Sequence, residues 1–221
     1  SWMNPTWWLT FLACLRFKIP MLFLTDANVN AEQLKSSWKT WFKRIFLGKI
    51  LFPLTTGFLC AGTANRELYS YYGVPTNKLI PFAYSWGYEP LLEASAGLKA
   101  RKKNLREELG IPKDKLVILY SGRLSSEKNP FLLLDAYRSV RSTDKALVFV
   151  GDGDLRDDME RYSTENGLEN VFFCGFQGRT DIPKYFASAD VLVLPSQRET
   201  WGMVINEALC LGLPVIASDQ V

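Results

Sequence analysis

Histidine is absent from all 221 residues. That removes the side chain most often used as a general base near neutral pH and the commonest metal ligand. Catalysis must therefore run without it, or draw on residues beyond this chain. The four cysteines, Cys14, Cys60, Cys174 and Cys210, stand 46, 114 and 36 residues apart and form no C-x-x-C pair. Each lies in an apolar stretch, the pattern of buried free thiols in a reducing compartment rather than of a disulfide framework or a zinc site. Long hydrophobic runs are missing too. The run Trp7 to Leu15, the longest near the start, falls far short of the roughly 20 residues that span a bilayer, and it lacks the basic leader and cleavage site of a signal peptide. No internal repeat or low-complexity tract occurs. A cytoplasmic, globular protein is expected, with no nucleic-acid partner.

What is present is 48% hydrophobic and 22% charged residues, an ordinary globular composition rather than a disordered one. The charge is unevenly spread. Residues 1–110 carry 14 Lys/Arg against 7 Asp/Glu, and residues 111–221 carry 12 against 16. A basic half followed by an acidic half suggests two units with different partners. The expected division is 1–88, then a linker and helix over 89–111, then 112–221. Ser1 is no initiator methionine and Val221 closely follows an apparent strand, so an interior fragment is expected.

Short apolar runs alternate with helical patterns. In the first half "PMLFLTD", "TGFLCAG" and "KLIPFAY" read as strands. The segment "NAEQLKSSWKTWFKRIFLG" reads as a helix over 31–47, with Asn30 and Gln33 as a capping box and Gly48 ending it. "TANRELYSYYG" reads as a helix capped by Thr63 and ended by Gly73. The second half is more regular. "KLVILYSG", "KALVFVGDG", "NVFFCG", "DVLVLPS" and "LPVIAS" are apolar runs without alternation, as strands covered on both faces should be. Helical patterns over Pro130–Arg141, Leu155–Asn166, Ile182–Ser188 and Met203–Leu211 separate them. Alternating βα units predict a doubly wound parallel sheet.

In such a sheet, ligands sit beyond the carboxyl ends of the strands. That rule selects the loops after Ser121, Val150, Cys174 and Pro195. In "RLSSEKNP", Arg123 and Lys128 suit a diphosphate, arginine as a fork and lysine as a point charge; taken alone, Arg-x4-Lys is no more than a solvated turn. "GDGDLRDDME" opens like a dinucleotide fingerprint, but Arg156 stands where the third glycine belongs, and Asp154, Asp157 and Asp158 would repel a phosphate from that helix start. Asp152 and Asp154 read better as a turn and helix cap than as a metal-binding pair. The stretch "ETWGMVINEALCLGLP" is different. Gly202 opens a helix, which lets a ligand approach the backbone, and the N–H groups of Met203 and Val204 offer an anion site. Glu207, one turn in, can accept hydrogen bonds from a ribose diol. Glu199, on the loop before, can reach hydroxyls beyond the phosphates. The set fits a nucleotide diphospho-sugar.

Taken together, "GRLSSEKNP", "GDGDLRDDME", "FFCGFQGRTDIPKYFASADVLVLPS" and "ETWGMVINEALCLGLPVIASD" resemble the nucleotide-sugar domain of family 4 retaining glycosyltransferases of the GT-B fold, over essentially all of residues 112–221. Glu199 and Glu207 match that family's E-x7-E spacing. The resemblance implies two Rossmann-like doubly wound α/β domains, both incomplete here. It implies that Arg123 and Lys128 hold the diphosphate and Glu207 the ribose. Glu199 would hold the transferred sugar as the catalytic-site carboxylate, with Trp201, Gly202, Met203 and Val204 lining the sugar-phosphate end and Phe176 near the base. "GFLCAGTANRELYSYYGVPTNKLIPF" resembles the end of the acceptor domain more loosely, with Pro81-Phe82-Ala83 in place of the usual Pro-Asn-Gly. The family's glycine-rich first loop and active-site histidine have no counterpart in this chain. No metal and no cofactor beyond the co-substrate is expected, because Arg123, Lys128 and the helix start can offset the diphosphate charge.

Three other readings remain at this level. An epimerase of the same fold is one; a phosphorylase would need a cofactor lysine that is not identifiable. A non-catalytic membrane-surface scaffold is the third. In the 31–47 helix, Leu34, Trp38, Trp41 and Ile45 form one face and Lys35, Lys39 and Lys43 another, with Arg44 and Lys49 adjacent. Such a helix either packs on a sheet with a solvated lysine stripe or rests on an anionic membrane surface, which would place the enzyme peripherally on the inner membrane face, near a lipid-linked acceptor.

Overall fold

The computed structural model describes residues 4–27, 29, 37–82 and 87–221. The backbone resolves into two compact units, Ser1–Ser85 and Trp86–Val221.

The first unit holds a three-stranded parallel sheet, β1 (Leu22–Leu24), β2 (Gly57–Cys60) and β3 (Leu79–Pro81), in that spatial order. β2 is central, and Leu22 pairs with Gly57 while Phe58 pairs with Leu79. Helix α1 (Pro5–Arg16) takes up the apolar run near the start and is capped by Asn4, whose side chain accepts from Thr6 N–H. Phe23, Phe52, Phe58 and Tyr69 form the aromatic centre of the core, with ring centroids 4.9–6.3 Å apart. Aromatic pairs at these offsets add to the area they bury.

Helix α2 (Ser37–Ile45) does not end at Gly48. It runs on as a π-helical segment, Phe46–Leu51. A Cβ on Gly48 would lie 2.2 Å from the Tyr72 carbonyl oxygen, so this glycine serves close backbone packing rather than helix termination. Asn30, Gln33, Leu34, Lys35 and the side chain of Lys39 lie outside the described residues, as does Ala83. In α3 (Thr63–Tyr71) Thr63 is the first helical residue, not the cap; Gly62, at φ 87°, precedes it and no side chain caps the turn. At the other end Gly73 adopts φ +84° and closes the helix.

The second unit is built on a five-stranded parallel sheet. Its strands are β4 (Leu116–Ser121), β5 (Lys145–Val150), β6 (Val171–Phe173), β7 (Val191–Leu194) and β8 (Val215–Ala217), ordered β6-β5-β4-β7-β8. Helices α6 (Pro130–Ser139), α7 (Arg156–Glu165), α8 (Ile182–Ser188) and α9 (Met203–Cys210) connect them. Each face of the sheet has its own core. Val117, Leu119, Ala146, Val148 and Leu192 pack with Tyr185, Phe186 and Ala208. Tyr120, Leu147, Phe149 and Leu194 pack with Leu133, Leu134 and Met159. Two covered faces explain why the strand sequences run apolar without alternation. The chain winds from β4 outward through β5 and β6, then returns to β4's other side with β7. The switch point therefore lies between β4 and β7, and a crevice at their carboxyl ends is the expected ligand position.

Residues 89–111, read as a linker and helix, form α4 (Glu89–Ser95) and α5 (Lys102–Glu108), both packed against α8 of the second unit. α5 is held by charge as well as by its buried Leu105. Arg106 is buried and donates to the Asp190 carboxylate at 2.6 Å and to the carbonyls of Lys113, Lys115 and Ser188 at 2.9 Å. Lys102 reaches the other Asp190 oxygen at 2.6 Å, and Val117 N–H donates to Asp190 at 2.7 Å. Burial pushes the Asp190 carboxyl up, but these donors together outweigh it and hold the carboxyl below its ordinary range. The cluster sits where β4 and β7 begin, at the edge opposite the switch-point crevice.

Candidate functional site

The carboxyl ends of β4 and β7 carry two loops that are tied together by backbone. The carbonyl of Glu127, in the loop after β4, accepts from the N–H groups of Gln197 and Arg198, in the loop after β7, at 2.9 and 3.1 Å. Arg198 returns its guanidinium to the Glu127 carboxylate at 3.4 Å. Across this bridge Lys128 forms an ion pair with Glu199, and both side chains are largely shielded, at 23% and 11% exposure. Glu199 also accepts from Thr200 N–H.

Arg123 stands on the β4 loop with its side chain exposed, and among the described residues no group hydrogen-bonds to its guanidinium. Its backbone is fixed from below. Tyr120, buried at the end of β4, donates its hydroxyl to the Arg123 carbonyl at 2.8 Å. Burial first, and the charge of Glu199 second, push the Tyr120 phenol above its ordinary range. The β4 loop also packs tightly on the β5 loop. Leu124 N–H donates to the Asp152 carbonyl at 3.0 Å, and a Cβ on Gly153 would come within 2.3 Å of the Leu124 carbonyl oxygen. The glycines of "GDGD" thus serve loop-on-loop packing. Arg156 pairs with Glu160 at 2.9 Å and Asp152 at 3.5 Å, and Asp157 and Asp158 occupy the first turn of α7. None of this leaves α7 an anion site.

α9 begins differently. Gly202 adopts φ +68° and ψ 50°; an added Cβ would clash with Val221 Cγ1 at 2.6 Å and would lie in ordinary contact, 3.5 Å, with the Cγ of Glu199. No side chain caps this turn and it contains no acid, so the N–H groups of Met203 and Val204 have no intrahelical acceptor at the positive end of the helix dipole. Trp201, Met203 and Val204 are half-buried around it. Glu207 lies further along α9. Burial pushes its carboxyl above the ordinary range, and Arg179 pulls it partway back. Among the described residues no donor hydrogen-bonds to it. Phe176 is 81% exposed on the loop after β6, just beyond Gly175.

The structure thus joins Lys128 and Glu199 directly and sets Gly202 beside Glu199. It carries Arg123, Phe176 and the start of α9 at the same strand-end edge. Tyr120, Glu127 and Arg179 were not singled out from sequence. Tyr120 is one of two hydroxyl side chains in an otherwise aliphatic strand and Arg179 one cation in a polar loop, so only their placement distinguishes them. Among the described residues no group of three or more His, Cys, Asp or Glu side chains is placed to hold a metal ion.

A doubly wound parallel sheet with cationic and acidic loops over its switch point defines an α/β domain of the Rossmann-like class. Residues 101–221 match the family described as glycosyl transferases group 1, and the chain belongs to that family. It is 37% identical over 120 residues to an uncharacterized glycosyltransferase of Methanocaldococcus jannaschii, covering 53% of this chain and 31% of that protein. It is 34% identical over 127 residues to the alpha-D-kanosaminyltransferase of Streptomyces kanamyceticus, covering 56% and 33%. The backbone is similar to that of the Anabaena protein HepE, crystallised in complex with UDP-glucose, with TM-score 0.70 and 21% identity over 95% of this chain and 56% of that one. The fold is that of the GT-B glycosyltransferases. The aligned regions amount to about a third of each curated relative's length.

Proposed function

We propose that the second unit binds a nucleotide diphospho-sugar at the β4–β7 switch point and that the whole protein transfers its hexose, with retention, to a saccharide or lipid-linked acceptor. The observation that supports this reading is the bridge between the β4 and β7 loops together with the Lys128–Glu199 pair it holds, Glu199 lying in contact range of Gly202 at the start of α9. Arg123, Lys128 and the N–H groups of Met203 and Val204 take the diphosphate. Glu207 takes the ribose diol, and Phe176 offers an exposed ring for the base. Glu199, beside Gly202 and Trp201, contacts the transferred sugar. Cleavage of the donor passes through an oxocarbenium-like state, and the leaving diphosphate is stabilised by these fixed donors without any metal or further cofactor. HepE, a structural relative, was crystallised with UDP-glucose, which is consistent with such a donor.

In the full-length protein, Arg123→Ala should weaken binding of UDP, GDP or ADP, whichever binds, by about 1.5–3 kcal/mol for a lost charge-assisted contact. The matching nucleoside should lose little. Calorimetry showing equal losses for nucleoside and diphosphate, or no diphosphate binding at all, would overturn the assignment.

A specific observation also favours a membrane-surface role for α2. Trp38, Trp41 and Phe42 are 62–68% exposed, and Arg44 and Lys49 are exposed on the same segment. Aromatic rings flanked by cations suit the interface of an anionic bilayer, where an inner-face, lipid-linked acceptor would be met. Among the described residues no helix is long and apolar enough to cross a membrane. Co-sedimentation with phosphatidylglycerol vesicles should be lost in Trp38→Ser/Trp41→Ser; retention of full binding would remove this role.

A further inference from the structure

We propose that Glu199 is an exchangeable internal counter-ion for Lys128, holding the lysine when the diphosphate site is empty and releasing it to the donor. The proposal rests on the nucleotide-site reading and deepens it. It starts from a conflict of assignments: the side chain proposed for the diphosphate and the side chain proposed for the sugar hold each other.

This pair is not an incidental surface contact. Lys128 sits at the end of a tight turn, with its N–H donating to the Ser125 carbonyl at 3.0 Å, and Asn129 beyond it adopts a left-handed φ of 50°. The backbone bonds from Gln197 and Arg198 to Glu127 fix the two loops at this separation. Both charged side chains are mostly shielded from water, so screening is weak and the lysine's charge is nearly cancelled. Lys128 has further N–H donors beside the carboxylate, but its charge is offered undiminished to a diphosphate only once the carboxylate moves away.

The displaced carboxylate then faces one of two situations. With a sugar attached, its hydroxyls offer donors to Glu199 in place of the lysine. With free nucleoside diphosphate no sugar hydroxyl is there to replace the lysine, and the released Glu199 lies near the anion it has made room for. The exchange therefore favours intact donor over spent diphosphate, and re-formation of the Lys128–Glu199 pair assists departure of the diphosphate after transfer. Among the described residues Arg123 has no such counter-ion, so it supplies the initial attraction while Lys128 supplies the discrimination.

The test uses the full-length protein and a titration with UDP, GDP and ADP. Glu199→Gln keeps shape and volume but cannot neutralise Lys128. Nucleoside diphosphate should bind it more tightly than wild type, by about three- to tenfold for a shielded pair, while turnover falls. The gain should vanish when Lys128→Met is added. Glu199→Asp, which draws the carboxylate back from Lys128, should show the same direction to a smaller degree and covers the case in which the glutamine variant folds poorly. Unchanged or weaker diphosphate binding in folded Glu199→Gln overturns the exchange. If Arg123→Ala still weakens diphosphate binding in that event, only the exchange falls; if wild type binds none of the three diphosphates, the nucleotide site falls with it.

Discussion

Replacing Glu207 by glutamine should make the protein more stable and worse at binding nucleotide. Glu207 lies on α9, where burial pushes its carboxyl above the ordinary range; the opposing effect comes from Arg179. No donor among the described residues hydrogen-bonds to it, so the fold bears a partly desolvated charge that Arg179 only partly offsets. Glutamine keeps the size and nearly the helix propensity of glutamate while removing that charge. Glu207 is only half-buried, so the gain at neutral pH should be modest, about 1 kcal/mol, roughly 3 °C in a unit of this size. The gain should depend on pH. A carboxyl whose folded pKa exceeds its unfolded value binds its proton more tightly in the folded state. Its cost is therefore absent below the unfolded pKa and grows as pH rises through the folded one. Thermal unfolding of wild type and Glu207→Gln at a series of pH values should show curves that meet in acid and separate toward neutrality. Nucleotide affinity, measured by calorimetry on the same samples, should fall in the variant. A variant equally or less stable at neutral pH, or a gap independent of pH, would refute the reasoning and return Glu207 to an ordinary helix-surface residue.

Two further outcomes follow from the loops and the α5 cluster. Arg106→Met should cost about 3–5 kcal/mol, because it strands Asp190 with part of its charge compensation gone. Because the Asp190 pKa is held low, the stability this group contributes is present above its unfolded pKa and is lost as pH falls through the folded one; acid unfolding of wild type and variant should converge there. Gly153→Ala should cost about 1–3 kcal/mol by overpacking, since the three atoms nearest the new methyl all belong to the Leu124 backbone, which cannot swing aside as a side chain can. It should also weaken nucleoside diphosphate binding through the displaced Arg123 loop, and normal diphosphate affinity in a destabilised variant would separate the two effects.

The elements of the second unit were legible because each strand declares its surroundings locally. "KLVILYS" and "KALVFV" carry no polar alternation, and a run of that kind survives only where both faces are covered. Arg123, Lys128, Phe176, Glu199 and the start of α9 follow from the same reading, because chemistry-bearing residues just past parallel strands must lie at one edge of the sheet. Helix ends were less legible. Thr63 looked like a cap and Gly48 like a stop, but each is used otherwise, since side-chain capping competes with close packing that depends on a distant segment, Tyr72 in the case of Gly48. The order β6-β5-β4-β7-β8 is not written in any local pattern, yet it alone makes the β4 and β7 loops neighbours. From that adjacency come the Glu127 bridge and the Lys128–Glu199 pair, 71 residues apart, and at the opposite edge the meeting of Arg106 with Asp190, 84 residues apart. Periodicity records how much of each residue is buried, a property of its own few neighbours. Which charge meets which depends on how whole strands are ordered, and that choice is made by the packing of the entire sheet.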